Sequence, residues 1–200
     1  MSNAKEMWNK KFSCEGYMYT KEPNLFLKHH IDNLTHKKKI LFLGEGEGRN
    51  AIYAATFGHD VTALDASDVG IEKTKLLAKE NGVHVKTICA DLNAYEFTQK
   101  YDLIMSSFMH LMEPLRTKVF QDAMQALKSD GRFIAQFFSQ KQIERDSGGP
   151  KSLELLYSLE SLQTIFHAYN ILTLEELHVE LDEGKHHCGI ADVIEIVIEK

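Results

Sequence analysis

Residues 39–50 read Lys-Ile-Leu-Phe-Leu-Gly-Glu-Gly-Glu-Gly-Arg-Asn. The apolar run 39–43 has no alternation, which suits a strand buried on both faces. Three glycines then allow the backbone a tight turn and a close approach to a ligand. A helical pattern follows over 50–57 and stops at Gly58. Outward from this stretch, short apolar runs alternate with helical ones. Strands are predicted over 60–64, 85–89, 101–107 and 132–138. Helices are predicted over 69–81, 114–127 and 158–166. Two long β runs, 171–181 and 190–198, close the chain. That alternation predicts βαβ units and a mainly parallel α/β sheet, doubly wound and Rossmann-like. Only residues 92–100 join the third and fourth strands, so that crossover is expected to hold no full helix. Asp130-Gly131 is expected to turn the chain into the fifth strand.

The chain has 200 residues, 44% hydrophobic and 26% charged, which fits one globular domain. The formal net charge of −6 gives no general attraction to nucleic acid or anionic lipid, so neither is expected as a partner. Three scattered cysteines without a CxxC point to reduced thiols in a cytoplasmic protein. No apolar stretch approaches the ~20 residues of a membrane span. The start of the chain has no secretory pattern.

The glycine turn follows a strand, opens a helix, and precedes an acid, Asp65, at the end of the second strand. An acid about 20 residues past the first glycine is placed for ribose hydroxyls. Position alone admits a dinucleotide or another nucleoside. Glu45 and Glu47 discriminate, because a pyrophosphate at this helix N-terminus would be repelled by both. S-adenosylmethionine carries a sulfonium and an ammonium and no phosphate, so the same acids favour it.

In order and spacing these residues resemble a known family, the class I S-adenosylmethionine-dependent methyltransferases near the tellurite-resistance and thiopurine methyltransferase-like proteins. The resemblance runs from Trp8 to Ile198. Gly44-x-Gly46-x-Gly48-Arg49-Asn50 is similar to the first motif, and Leu64-Asp65-Ala66-Ser67 to the ribose-binding strand end. Ala90-Asp91-Leu92 resembles the adenine segment, Tyr101-Asp102 the opening of the fourth-strand motif, and Leu127–Gly131 the turn before strand five. Two departures stand out. Phe42 occupies the place where many relatives carry an acid, and Ser129-Asp130 replaces the usual Pro or Gly. The resemblance implies a seven-stranded sheet with a C-terminal antiparallel pair. It also implies a cap over the cofactor in residues 1–35, a single methyltransferase domain in 36–200, and methyl transfer to a thiol, a metalloid oxyanion or a small heteroaromatic.

Cofactor contacts are expected from Tyr19, Gly44, Glu45, Gly46, Gly48, Asn50, Asp65, Ala66, Asp91, Leu92 and Ser107. His110 directly follows strand four and is the candidate general base, since histidine titrates near neutrality; the alternative is a polar residue that ends the strand-four segment or binds substrate. Substrate contacts are expected from His187, Arg145 and Tyr17, against the alternatives of a solvated hairpin tip and surface charges. His186-His187-Cys188 is a poor metal site, because adjacent ligands rarely converge on one ion, and no resident metal is expected. Two hundred residues leave little chain for a recognition domain, which favours a small-molecule substrate and a monomer or homodimer. The competing functions are a nicotinamide-dependent oxidoreductase and a non-catalytic S-adenosylmethionine-binding sensor. The former lacks a Tyr-x-x-x-Lys hydride-site pattern.

Overall fold

The apolar run at 39–43 becomes β1 (Lys39–Leu43), whose alternate side chains reach opposite faces of one sheet. Ile40 and Phe42 join one buried cluster, while Leu41 and Leu43 join another. All four are fully buried, which is why this strand shows no polar alternation. The computed structural model describes residues 3–200. Residues 1 and 2, the start of the expected cap, lie outside the described residues.

Around β1 the sheet continues with β2 (Asp60–Asp65), β3 (Lys86–Cys89), β4 (Tyr101–Ser107), β5 (Leu127–Phe138), β6 (Asn170–Asp182) and β7 (Cys188–Glu199). The spatial order is β3-β2-β1-β4-β5-β7-β6. Strands β1 to β5 pair in parallel, and β7 runs antiparallel between β5 and β6. The order reverses between β1 and β4, so a crevice opens outside their carboxyl ends. The expected α/β architecture with its antiparallel C-terminal pair is therefore observed.

Helices cover both faces. On the Phe42 side lie α2 (Leu25–Asp32), α3 (Arg49–Thr56) and α4 (Asp68–Glu80), through Leu27, Ile31, Ala51, Ala54 and Leu77. On the Leu41 side lie α5 (Leu115–Ala126) and α6 (Leu159–Phe166), through Phe120, Met124, Leu162 and Phe166. Ser158 caps α6 in a reciprocal box with Ser161. No helix separates β3 from β4, as the short crossover required. The alternation also left out α1 (Asn3–Phe12), a short amphipathic segment. Phe12 lies 3.0 Å from where a Cβ on Gly46 would stand, and Asn9 accepts a hydrogen bond from Ser67 Oγ at 2.6 Å. The first helix thus lies against the glycine turn.

The strand expected over 132–138 starts earlier, at Leu127. Asp130-Gly131 does not end a connection; it sits inside a bulge. Tyr101 pairs Leu127 and Leu103 pairs Arg132, so β5 spends five steps where β4 spends two. Asp130 takes a positive φ of 60° there, a conformation Asp tolerates better than most residues.

Candidate functional site at the strand ends

The glycine turn is held from below by two carboxylates. Asp65, at the end of β2, accepts from Gly46 N–H at 2.8 Å and from Ser67 N–H at 2.8 Å. Glu45 turns back under the loop and accepts from Ala51 N–H at 2.7 Å and from the Asn50 amide at 3.2 Å. Burial pushes the Glu45 carboxyl up to about 7, against the pull of those donors. Burial likewise raises the Asp65 carboxyl. Gly44, Gly46 and Gly48 have φ of 63°, 65° and 98°. A Cβ on Gly44 would stand 2.9 Å from the Met109 side chain, so only glycine lets Met109 close over the end of β1.

The two loop glutamates do not line the crevice as expected. Glu45 is consumed by the first turn of α3. Glu47 points to the N-terminal segment, where it accepts from Met18 N–H at 2.8 Å and pairs with Lys73 at 2.8 Å. A pyrophosphate is disfavoured because Glu45 already occupies the α3 amide that would cradle it.

Several expected contacts belong to a buried polar network instead. Asn50 donates to Ser107 Oγ at 3.1 Å and accepts from Asn24 N–H at 2.9 Å. Asn24 in turn donates to Gln136 Oε1 at 2.7 Å and to Glu183 Oε1 at 3.0 Å. Glu183 pairs with Arg49 Nη2 at 2.7 Å and with His187 Nδ1 at 3.2 Å. Arg49, Glu183 and His187 are only 9%, 7% and 5% exposed. The neighbouring Arg49 and His187 outweigh burial and hold the Glu183 carboxyl at about 2. Sequence reasoning passed over Asn24, Arg49, Gln136 and Glu183 as site residues, since nothing in the chain announces contacts 112 to 159 positions apart. The one local signal was Glu183 four residues before His187.

Beyond β4 the side chains are aromatic. Phe108 stacks on Phe138 with centroids 4.4 Å apart, and His110 stacks on the same ring at 5.6 Å. His187 meets the edges of Phe108 at 4.7 Å and Phe138 at 5.2 Å, with Tyr19 against it at 4.5 Å. Phe108 holds φ at 53°, a costly conformation for an aromatic residue. That bend turns its ring into the stack.

His110 is where the expected chemistry needs correction. Its Nδ1 lies 2.7 Å from the Leu155 carbonyl, which makes Nδ1–H the donor. Burial lowers its pKa to about 3, and Nε2 is buried with no protein partner. It is a fixed neutral acceptor, not a base poised near neutrality. Tyr17 and Arg145 also part from the expectation. Tyr17 faces Lys21 and Lys73, with ammonium groups 4.8 and 5.6 Å from its ring. Arg145 pairs with Asp192 at 2.7 Å beside Lys141, Glu144 and His178. Neither joins the aromatic wall. Asp91 accepts from Asn93 N–H at 2.9 Å in a local turn, Leu92 is half-buried beside it, and Ala66 accepts the Cys89 thiol at 3.6 Å, all at the ends of β2 and β3.

This sheet order, with a glycine turn, a β2-end acid and a strand-end crevice, defines a Rossmann-like nucleoside-binding fold of the methyltransferase kind. Residues 40–131 match the family described as a methyltransferase domain. A 73-residue stretch is 32% identical to the probable S-adenosyl-L-methionine-dependent methyltransferase TehB of Haemophilus influenzae, covering 36% of this chain and 26% of TehB. Another stretch is 33% identical over 108 residues to a sarcosine/dimethylglycine N-methyltransferase of Aphanothece halophytica, covering 52% and 39%. The matched stretches thus span less than half the length of these relatives. The crystal structure of H. influenzae TehB aligns over 98% of this chain and 67% of its own, with a TM-score of 0.74 at 19% identity. Coclaurine N-methyltransferase bound to N-methylheliamine and SAH aligns over 88% and 72%, with a TM-score of 0.68 at 11% identity. Residues 40–131 carry a methyltransferase domain of the class I, S-adenosylmethionine-dependent kind, and nearly the whole chain shares the fold of TehB. S-adenosylmethionine is the cofactor of that class. Among the described residues, no helix is long and apolar enough to cross a membrane.

Proposed function

We propose that the protein transfers the methyl group of S-adenosylmethionine to a small-molecule nucleophile. The observation that carries this reading is Glu45. The α3 amide that would bind a phosphate is taken by an internal carboxyl group, which gives up its proton more readily beside a cationic nucleoside than beside a pyrophosphate. When bound, the cofactor supplies an activated methyl group. In this reading Asp65 holds the ribose, Asp91 and Leu92 the adenine, and Gly44 with Met109 the sulfur end. Residues 3–24 cover the whole. The wall of Phe108, Phe138 and His187 orients the acceptor, and orientation is the main contribution a protein makes to such a displacement. Three exposed thiols with no disulfide suit a cytoplasmic setting.

Calorimetry with S-adenosylmethionine, S-adenosylhomocysteine and NAD tests the cofactor, and a methyl-acceptor screen tests the transfer. NAD binding in preference to the methyl donor would sink the proposal. Tight donor binding with no acceptor turned over would instead favour a sensor.

Two further outcomes are expected. Asp65→Ala should weaken donor affinity by about 1–3 kcal/mol, the range for a hydrogen bond to a charged group; unchanged affinity would remove Asp65 from the ribose site. Glu45, held near pH 7 in the free protein, should lose its proton when a sulfonium binds above the loop. Donor binding near pH 6 should then release up to about one proton. The release is read from the dependence of binding enthalpy on buffer ionisation. It should shrink with S-adenosylhomocysteine and vanish in Glu45→Gln. Buffer-independent enthalpies would show that the carboxylate does not sense the cofactor.

A further inference from the structure

The hairpin between β6 and β7 brings an oriented imidazole to the aromatic wall. Glu183 N–H donates to the His187 carbonyl at 2.8 Å, and His187 N–H donates to the Gly184 carbonyl at 2.9 Å. This tight turn folds the two side chains together. His187 Nδ1 lies 3.2 Å from Glu183 Oε2, and that oxygen is gripped by Arg49 Nη2 at 2.7 Å. A carboxylate on Nδ1 fixes the tautomer with its proton there, which leaves the Nε2 lone pair free. Gly148 packs against this edge of the ring, where only glycine fits. A Cβ at 148 would stand 2.7 Å from His187 Cδ2 and 3.4 Å from Nε2.

We propose that His187 Nε2 is the proton acceptor for the methyl acceptor, with Glu183 and Arg49 as its positioning residues. The inference rests on the methyl-transfer reading above and narrows its substrate class. The acceptor is one that arrives protonated, a thiol or an N–H heteroaromatic, and not an oxyanion whose lone pair is already free. The acceptor's X–H bond breaks with its proton going to Nε2, and a bond forms from X to the methyl carbon. The bond from that carbon to the sulfonium sulfur breaks with its electron pair staying on sulfur. The imidazolium sits against the Glu183 carboxylate and returns the proton to solvent.

The groups facing His187 set its titration. They are Glu183 and His186 on its own turn, Arg49 on α3, Tyr19 on the N-terminal segment and His110 after β4. The packed turn Ser147-Gly148-Gly149 adds no charge. Burial lowers the His187 pKa and Glu183 opposes that, so the ring stays neutral at pH 7 and able to take a proton.

The first test needs no acceptor. Nitrogen-15 spectra of the intact protein should show His187 protonated on Nδ1 and bare on Nε2. Glu183→Gln should move its protonation midpoint to lower pH, because an anion has been removed. An Nε2–H tautomer, or an unmoved midpoint, overturns the assignment. The second test compares 2-mercaptoethanol, protonated at neutral pH, with 4-nitrothiophenol, already ionised. His187→Gln should cut methylation of the former about 100-fold or more, the scale of general-base catalysis. It should cost the latter at least about tenfold less, since an ionised thiol loses only the orienting contact and not a proton acceptor. Equal losses on both thiols, or none, would reduce His187 to a structural residue. Failure of the wild-type protein to bind the donor would sink the methyl-transfer reading itself, a separate result.

Discussion

Arg49→Met is expected to destabilise the protein by about 3–5 kcal/mol, the cost of leaving one member of a buried ion pair alone. Arg49 and Glu183 have side chains only 10% and 9% exposed and meet at 2.7 Å. Met preserves most of the apolar stem, so the loss comes from the charge. The stranded Glu183 carboxylate must then be stabilised by Asn24 and His187 alone. Denaturant unfolding of the single and double variants measures the effect. Arg49→Met with Glu183→Gln should recover most of the loss, since the uncompensated charge is gone. By contrast Lys28–Asp32, an i,i+4 pair more than a third exposed on both sides, should cost little when broken, because water screens it. A loss of that small size at Arg49 would contradict the burial of the pair.

Gly48→Ala should cost about 2–5 kcal/mol. Gly48 has a φ of 98°, and a Cβ there would stand 2.8 Å from the Thr74 side chain and 3.0 Å from the Thr74 Cα. The left-handed conformation costs an L-residue roughly 1–2 kcal/mol, and overpacking against α4 adds about 1–3 kcal/mol. Thr74 is not free to retreat, because its hydroxyl lies 3.1 Å from both the Gly46 and Gly70 carbonyls. Gly82→Ala is the control. Its φ is 65° with nothing within 4 Å of the new Cβ, so only the conformational part should appear. Equal costs at the two positions would show that the loop does not press on α4.

Both substitutions fall inside the glycine-turn stretch 39–50, yet they report different kinds of information. Gly48 is readable locally, because a glycine between a buried strand and a helix already implies a positive φ. Arg49 is not. In sequence it is an ordinary first-turn cation. Its partner lies 134 residues away, in a hairpin whose turn also builds the His187 site. His110 shows the same divide. Its position after a strand was legible, but the pKa of about 3 comes from burial among Phe137, Phe138 and Tyr157, with its Nδ1 on the Leu155 carbonyl. A long-range environment, not residue type, decides whether an imidazole is a base.

Local pattern was enough for the parallel strands, the glycine turn and the acid at the end of β2. Each follows from periodicity or backbone freedom within a dozen or so residues. Tertiary structure alone decided where the charges went. Glu45 turned under the loop, Glu47 went to the N-terminal segment, Tyr19 rather than Tyr17 reached the imidazole, and Glu183 met Arg49. Side-chain direction and desolvation depend on neighbours distant in the chain, and no local pattern encodes them.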